Sequence, residues 1–124
     1  MYRMEENVFV PIAWLRIMKE KCNVNNSNSR ARLVIQLAEI VQYCKEHCAN
    51  AMELSYSELS KQWHISINTV KKDFSKLEKL GFIKNIPSSA ITNYENTSSD
   101  IFFAKPKMDE IKNVLGVYNY GGQK

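Results

Sequence analysis

The residues from Leu54 to Ile86, LSYSELSKQWHISINTVKKDFSKLEKLGFIKNI, are punctuated so closely that few local structures remain open to them. Ser55 is a helix N-cap candidate, and Glu58 stands three residues on, the spacing of a reciprocal capping box. A short helix over Tyr56 to Trp63 then carries Leu59 and Trp63 on one face at i, i+4. His64-Ile65-Ser66 breaks it. Ser66 is a second N-cap candidate, opening a helix over Ile67 to Leu80 whose apolar stripe is Val70, Phe74, Leu77 and Leu80. Gly81 stands where a left-handed residue would end that helix. At about 100° per residue, the opposite face presents Asn68, Lys72, Ser75 and Lys79, flanked by Lys71 and Lys76.

The order Leu59-Ser60, Trp63, Ile65-Ser66, Thr69-Val70, Phe74, Leu77 and Leu80-Gly81-Phe82-Ile83 resembles the winged helix-turn-helix superfamily. More loosely, Val10-Pro11, Trp14-Leu15 and a long helix from Ala31 are similar to helix-turn-helix domains of plasmid and phage replication proteins. Trp63-His64 departs from the Leu-Gly usual there, so a left-handed turn position would fall to His, at some steric cost. The resemblance implies a mainly α fold with a small antiparallel β-hairpin, in which the helix 67–80 enters the major groove of duplex DNA. The implied role is transcriptional regulation or replication initiation. The alternatives are a winged single-stranded-DNA-binding protein of a mobile element, and a protein-interaction module on the same fold.

Within that frame Asn68 could read adenine, and Lys71 and Lys72 could reach guanine acceptors or phosphates. Ser66 and Thr69, at the helix N-terminus, suit a phosphate oxygen. Ser75, Lys76 and Lys79 continue the same face, and Arg30 and Arg32 form a second candidate phosphate contact. The plainer reading of these lysines is a solvated helix face.

Charge agrees with a polyanionic partner without requiring one: 17 Lys and Arg stand against 13 Asp and Glu, a net +4. At 124 residues the chain can build one core without staples. No apolar run approaches a membrane span and no signal sequence is visible, so the expected location is cytoplasmic, with no membrane partner. Cys22, Cys44 and Cys48 make an odd count, expected as reduced thiols. Cys44, His47 and Cys48 fall within one helical turn and lack a fourth ligand from another element, so no metal and no cofactor is expected. Without a Gly-rich phosphate loop or an H-E-x-x-H pattern, the chain is not expected to be an enzyme.

Three segments organise the chain: a flexible start over 1–7, one domain over 8–116 and a flexible tail over 117–124. Pro11 fits the first position of a helix whose core residues are Ile12, Leu15 and Trp14, continued by Ile17 and Met18. Cys22 to Ser29, rich in Asn and Ser, reads as a loop, either solvated or holding phosphate through its flanking basic residues. Ser29 or Asn28 could cap the longest helix, about Arg30 to His47, with Leu33, Leu37, Ile40, Val41 and Cys44 inward. Met52-Glu53-Leu54 stands where the family places a short first strand.

Phe82 to Ile86 alternates as a strand, and Ile101 to Ala104 can return beside it. Between them, Pro87 to Asp100 contains no Lys or Arg, so this wing offers no phosphate attraction, and Ile91 and Tyr94 could pack it down or extend the sheet. Lys107 to Leu115 reads as a last helix that either covers the core or pairs subunits as a homodimer. Tyr118 and Tyr120 in the tail could stack on bases or dock a protein partner.

Overall fold

A run of Asn and Ser ahead of a long apolar-rich segment offers several helix starts, and burial chooses among them. In the computed structural model, which describes residues 10–91, 94 and 98–116, the central helix is capped by Asn26, earlier than Ser29 or Asn28. Helix α1 is Ile12–Glu20 and helix α2 is Ser27–Glu46. The Ser29 N–H donates to Asn26 Oδ1 at 2.9 Å, and Val24 just upstream is buried. Leu33, Val34, Leu37, Ala38, Ile40, Val41 and Cys44 line α2 inward, joined by buried Gln36, Glu39 and Gln42. A helix covered on so many sides is a core helix rather than a half-solvated one.

Pro11 is the N-cap of α1 rather than its first residue, and the core-facing side differs from expectation. Trp14 and Met18 are buried, Leu15 and Ile17 are partly buried, and Ile12 is 75% exposed. Trp14 and Met18, at i, i+4, define the stripe, and Ile12 lies too far round the helix to join it.

Strand β1 (Met52–Ser55) leads directly into α3 (Tyr56–Trp63), and α4 (Ile67–Lys79) follows after a three-residue turn. Strands β2 (Ile83–Pro87) and β3 (Ile101–Pro106) form an antiparallel hairpin, with a short 3-10 turn over Ser88–Ala90. β1 adds to the other edge of β3, giving a three-stranded antiparallel sheet in the order β1-β3-β2. Met52 pairs with Ala104 and Leu54 with Phe102 on one side, while Ile83 pairs with Pro106 and Ile86 with Phe103 on the other. Helix α5 (Met108–Leu115) buries Ile111 and Leu115 and packs against α1. The described residues therefore make a mainly helical fold with one small sheet, and their buried apolar residues form one core. None of the described helices is long and apolar enough to cross a membrane. The expectations for 1–7, for 117–124 and for Tyr118 and Tyr120 fall outside the described residues.

The helix caps and the stop around α3 and α4 are present, although only the Ser55 half of the capping box with Glu58 is formed. Ser55 Oγ accepts from the Glu58 N–H at 3.2 Å, and Ser66 Oγ accepts from the Thr69 N–H at 3.1 Å. Gly81, at φ 90°, closes α4 with both bonds of a Schellman motif: Gly81 N–H to Glu78 O at 3.0 Å and Phe82 N–H to Leu77 O at 3.1 Å. Phe82 and Leu77 are both buried, which supplies the apolar contact that accompanies this motif.

The turn between the helices does place His64 in the left-handed region, at φ 56° and ψ 46°. The Ile65 N–H donates to Ser60 O at 3.1 Å, and Ser60 Oγ donates to Ile65 O, so the turn is held on both sides of the strained residue. A non-glycine residue there costs about 1 kcal/mol or more. Because the His64 side chain is exposed, His64→Gly is expected to stabilise the fold by about 1 kcal/mol, read as a higher urea midpoint at unchanged slope. A lower midpoint would mean that the imidazole itself holds the turn.

Candidate nucleic-acid interface

Val70, Phe74 and Leu77 are buried at 1% exposure or less, and they fix the rotation of α4 about its axis. Phe74 meets Phe102 edge-on at 5.1 Å between ring centroids, and Phe102 in turn stacks on Tyr56 at 4.2 Å. This contact ties α4 to the hairpin and to the start of α3. With the stripe seated, Ser66, Asn68, Lys71, Lys72, Ser75, Lys76 and Lys79 are all exposed, and Thr69 is partly covered. Asn68, Lys71, Lys72, Ser75, Lys76 and Lys79 line one shallow open depression. Eight of the ten residues expected at an interface thus lie on one helix and one side of the molecule.

Their surroundings are not uniform. Ser66 Oγ and Thr69 Oγ1 lie 2.9 Å apart and share a hydrogen bond, so both hydroxyls help to fix the first turn. Lys71 Nζ sits 5.3 Å from the centre of the Tyr56 ring, a cation–π arrangement that holds it toward α3. Lys76 and Lys79 stand in the last turn of α4, where a cation complements the helix dipole. Asn68 and Lys72 have no such local reason to be where they are. Among the described residues, none of the four lysines is in an ion pair.

Arg30 and Arg32, the second candidate phosphate contact, are engaged within the protein. The Arg30 guanidinium donates to Val24 O at 2.8 Å and to Asn25 O at 3.3 Å, turning inward to close the loop before α2. Arg32 Nε and Nη2 donate to the two Asp73 oxygens at 2.8 and 3.2 Å, and its side chain is only 16% exposed. Gln36 Nε2 adds a longer bond to Asp73 Oδ2 at 3.4 Å. Both arginines are therefore structural, one holding a loop and the other holding α2 to α4. Sequence reasoning passed over Asp73, although a signal was present: it falls three residues after Val70 and four before Leu77, on the buried stripe. An acid on that side needs a partner.

Asp100 is a second group with an unexpected task. Its carboxylate accepts from Ser55 Oγ at 2.6 Å, from Ser57 Oγ at 2.8 Å and from the Ser57 N–H at 2.9 Å. The Ser55 bond holds its carboxyl below the usual carboxylate range, burial opposes this, and the Ser57 bonds and the Lys71 charge reinforce it. Asp100 thus completes the cap at the start of α3, beside Ser55. It belongs to the base of the hairpin.

The neck of the segment between β2 and β3 is closed by buried Ser88, whose Oγ donates to Ser98 O at 2.9 Å and accepts from the Ser98 N–H at 3.0 Å. Tyr94 packs edge-on against Phe103 at 5.2 Å and donates its hydroxyl to the Glu53 carboxylate. It therefore packs down onto the sheet, one of the two outcomes left open by the sequence.

The three residues weighed as metal ligands are spread in character. Cys44 is buried, which pushes its thiol up to about 11, His47 stacks on Tyr43 at 4.2 Å, and Cys48 is exposed at φ 50°. Among the described residues no group of three His, Cys, Asp or Glu could hold a metal ion. No protein family, curated protein or solved structure matches the chain significantly, so the reading of this face rests on its own geometry and charge.

Proposed function

We propose that this chain is a winged helix-turn-helix protein that binds duplex DNA with the outward face of α4, as a transcriptional regulator or a replication-initiation factor. The observation that carries this reading is the exposed row of Asn68, Lys71, Lys72, Lys76 and Lys79, whose lysines form no ion pair among the described residues, on a helix whose other side is locked into the core. A duplex presents both things such a row can use: phosphates for the ammonium groups, and base edges for the carboxamide. The two-helix unit with its short turn and the antiparallel hairpin that follows supports the docking geometry in which the second helix lies in the major groove. The segment from Pro87 to Asp100 contributes no cation, so the electrostatic contact falls to α4.

Fluorescence anisotropy with a labelled duplex and with a single strand of the same sequence, each over a salt series, tests the proposal. Four phosphate contacts would give a slope of log K against log salt of about −3 to −4 on the duplex. Tighter binding to the single strand would transfer the role to the single-stranded alternative. No binding to either at low salt would leave the protein-interaction reading.

A further inference from the structure

Ile67 is 41% exposed, and among the described residues it and Ile12 are the only large apolar side chains left so open. Ile12 lies on α1, whereas Ile67 is the first residue of α4, between the Ser66 cap and Asn68. It stands four residues before Lys71, on the same flank of the helix, and next in the chain to Asn68, which with the lysines lines the depression. A single exposed isoleucine is ordinary on a protein surface. One set at the N-terminal tip of a polar helix face is more pointed, because residues at that tip are the ones that reach base edges. The first turn is held by the two bonds between Ser66 and Thr69, and a β-branched side chain has few rotamers. Ile67 therefore presents a rigid apolar surface beside a carboxamide.

In the major groove the apolar group on a base edge is the C5-methyl of thymine, and the bidentate partner of an asparagine carboxamide is adenine. We infer that Ile67 reads a thymine methyl next to the adenine contacted by Asn68, so that the preferred site contains an A·T step recognised by the two residues together. This rests on the duplex-DNA reading above and adds to it a base identity and the residue that selects it.

Replacing thymine by deoxyuridine removes the methyl and leaves every hydrogen-bonding group in place, so the duplex itself supplies the test. A site is first selected from a randomised duplex pool, and each thymine is then replaced in turn. With the unaltered protein, one or two positions are expected to lose about fourfold in affinity, the worth of one buried methyl. Ile67→Ala is expected to bind the thymine duplex about as weakly and to lose the distinction between thymine and deoxyuridine there. Indifference of the unaltered protein to every replacement would overturn the inference, as would full retention of the distinction by Ile67→Ala. A selection that enriches no site, alongside salt-sensitive binding to random duplex, overturns it while leaving the duplex-DNA reading intact. Failure to bind any duplex removes both.

Discussion

Arg32→Ala is expected to destabilise the protein by about 3–5 kcal/mol, a large part of the total stability of a domain this size. The reason is what the substitution leaves behind. Asp73 is 6% exposed, and both of its oxygens take their short hydrogen bonds from the Arg32 guanidinium. After truncation the carboxylate retains only the longer bond from Gln36, inside a face otherwise made of Val70, Phe74 and Leu77. An unpaired buried charge is far more costly than the ion pair is favourable. Replacing both partners with apolar residues of similar size, Arg32→Met with Asp73→Leu, is therefore expected to return the stability to within about 1 kcal/mol of the parent, or to raise it. Urea unfolding of the single and double variants makes the comparison. An Arg32→Ala midpoint equal to the parent would mean that the guanidinium is dispensable to the fold and free to reach a phosphate.

What the sequence disclosed and what it hid divide along contact range. The boundaries of α3 and α4, the Ser55 and Ser66 caps, the Gly81 stop and the left-handed His64 are set by residues within five positions of one another. Spacing reveals all of those but the left-handed His64, which the resemblance implied. The other differences, apart from where α1 and α2 start, involve a partner far along the chain or a choice of face. Arg32 reads as a cation beside a polar loop because its acid lies 41 residues away. Asp100 reads only as the last residue of a wing without cations because Ser55 and Ser57 lie 45 and 43 residues before it. In α1 the apolar residues are so dense that periodicity identifies a helix without fixing its rotation, and burial of Trp14 and Met18 sends Ile12 outward. The start of α2 was similarly open, since Asn26, Asn28 and Ser29 are all competent caps and only the fit of Val24 and Arg30 decides between them.

These distant contacts bear on the candidate interface because they immobilise the helix that carries it. Asp73 ties α4 to α2, and Asn85 ties it to β2, donating from Nδ2 to Phe74 O at 3.0 Å and from its backbone N–H to the Glu78 carboxylate at 3.2 Å. Phe102 presses on Phe74 from the sheet. A helix gripped on its inner side by α2, β2 and β3 cannot rotate to bury its lysines. Its outer face is presented in one orientation, which is what geometric reading of a groove requires.

If that face contacts DNA, its two kinds of residue should fail in different ways. Removing Lys72, Lys76 and Lys79 together, each to alanine, takes away three exposed cations and no buried contact, so the fold should hold within about 0.5 kcal/mol per site. The salt slope should flatten by about 2.7 units, since each phosphate contact contributes about 0.9. At 0.1 M salt that corresponds to a loss of about 500-fold relative to the parent, shrinking toward nothing near 1 M, and it should be equal for all duplexes. Asn68→Ala should leave the slope unchanged and cost about 1–3 kcal/mol, but only on a site with adenine at the contacted position. Lys71→Ala should change the slope less than the other lysines, because its ammonium already lies over Tyr56. Anisotropy on a selected and a scrambled duplex at several salt concentrations separates these outcomes. A slope unaltered by the triple lysine variant would remove α4 from the electrostatic contact. With Arg30 and Arg32 engaged within the protein and only Lys71 left in place on α4, the salt-dependent contact would lie on other basic residues, and the docking of α4 in the groove would have to be given up.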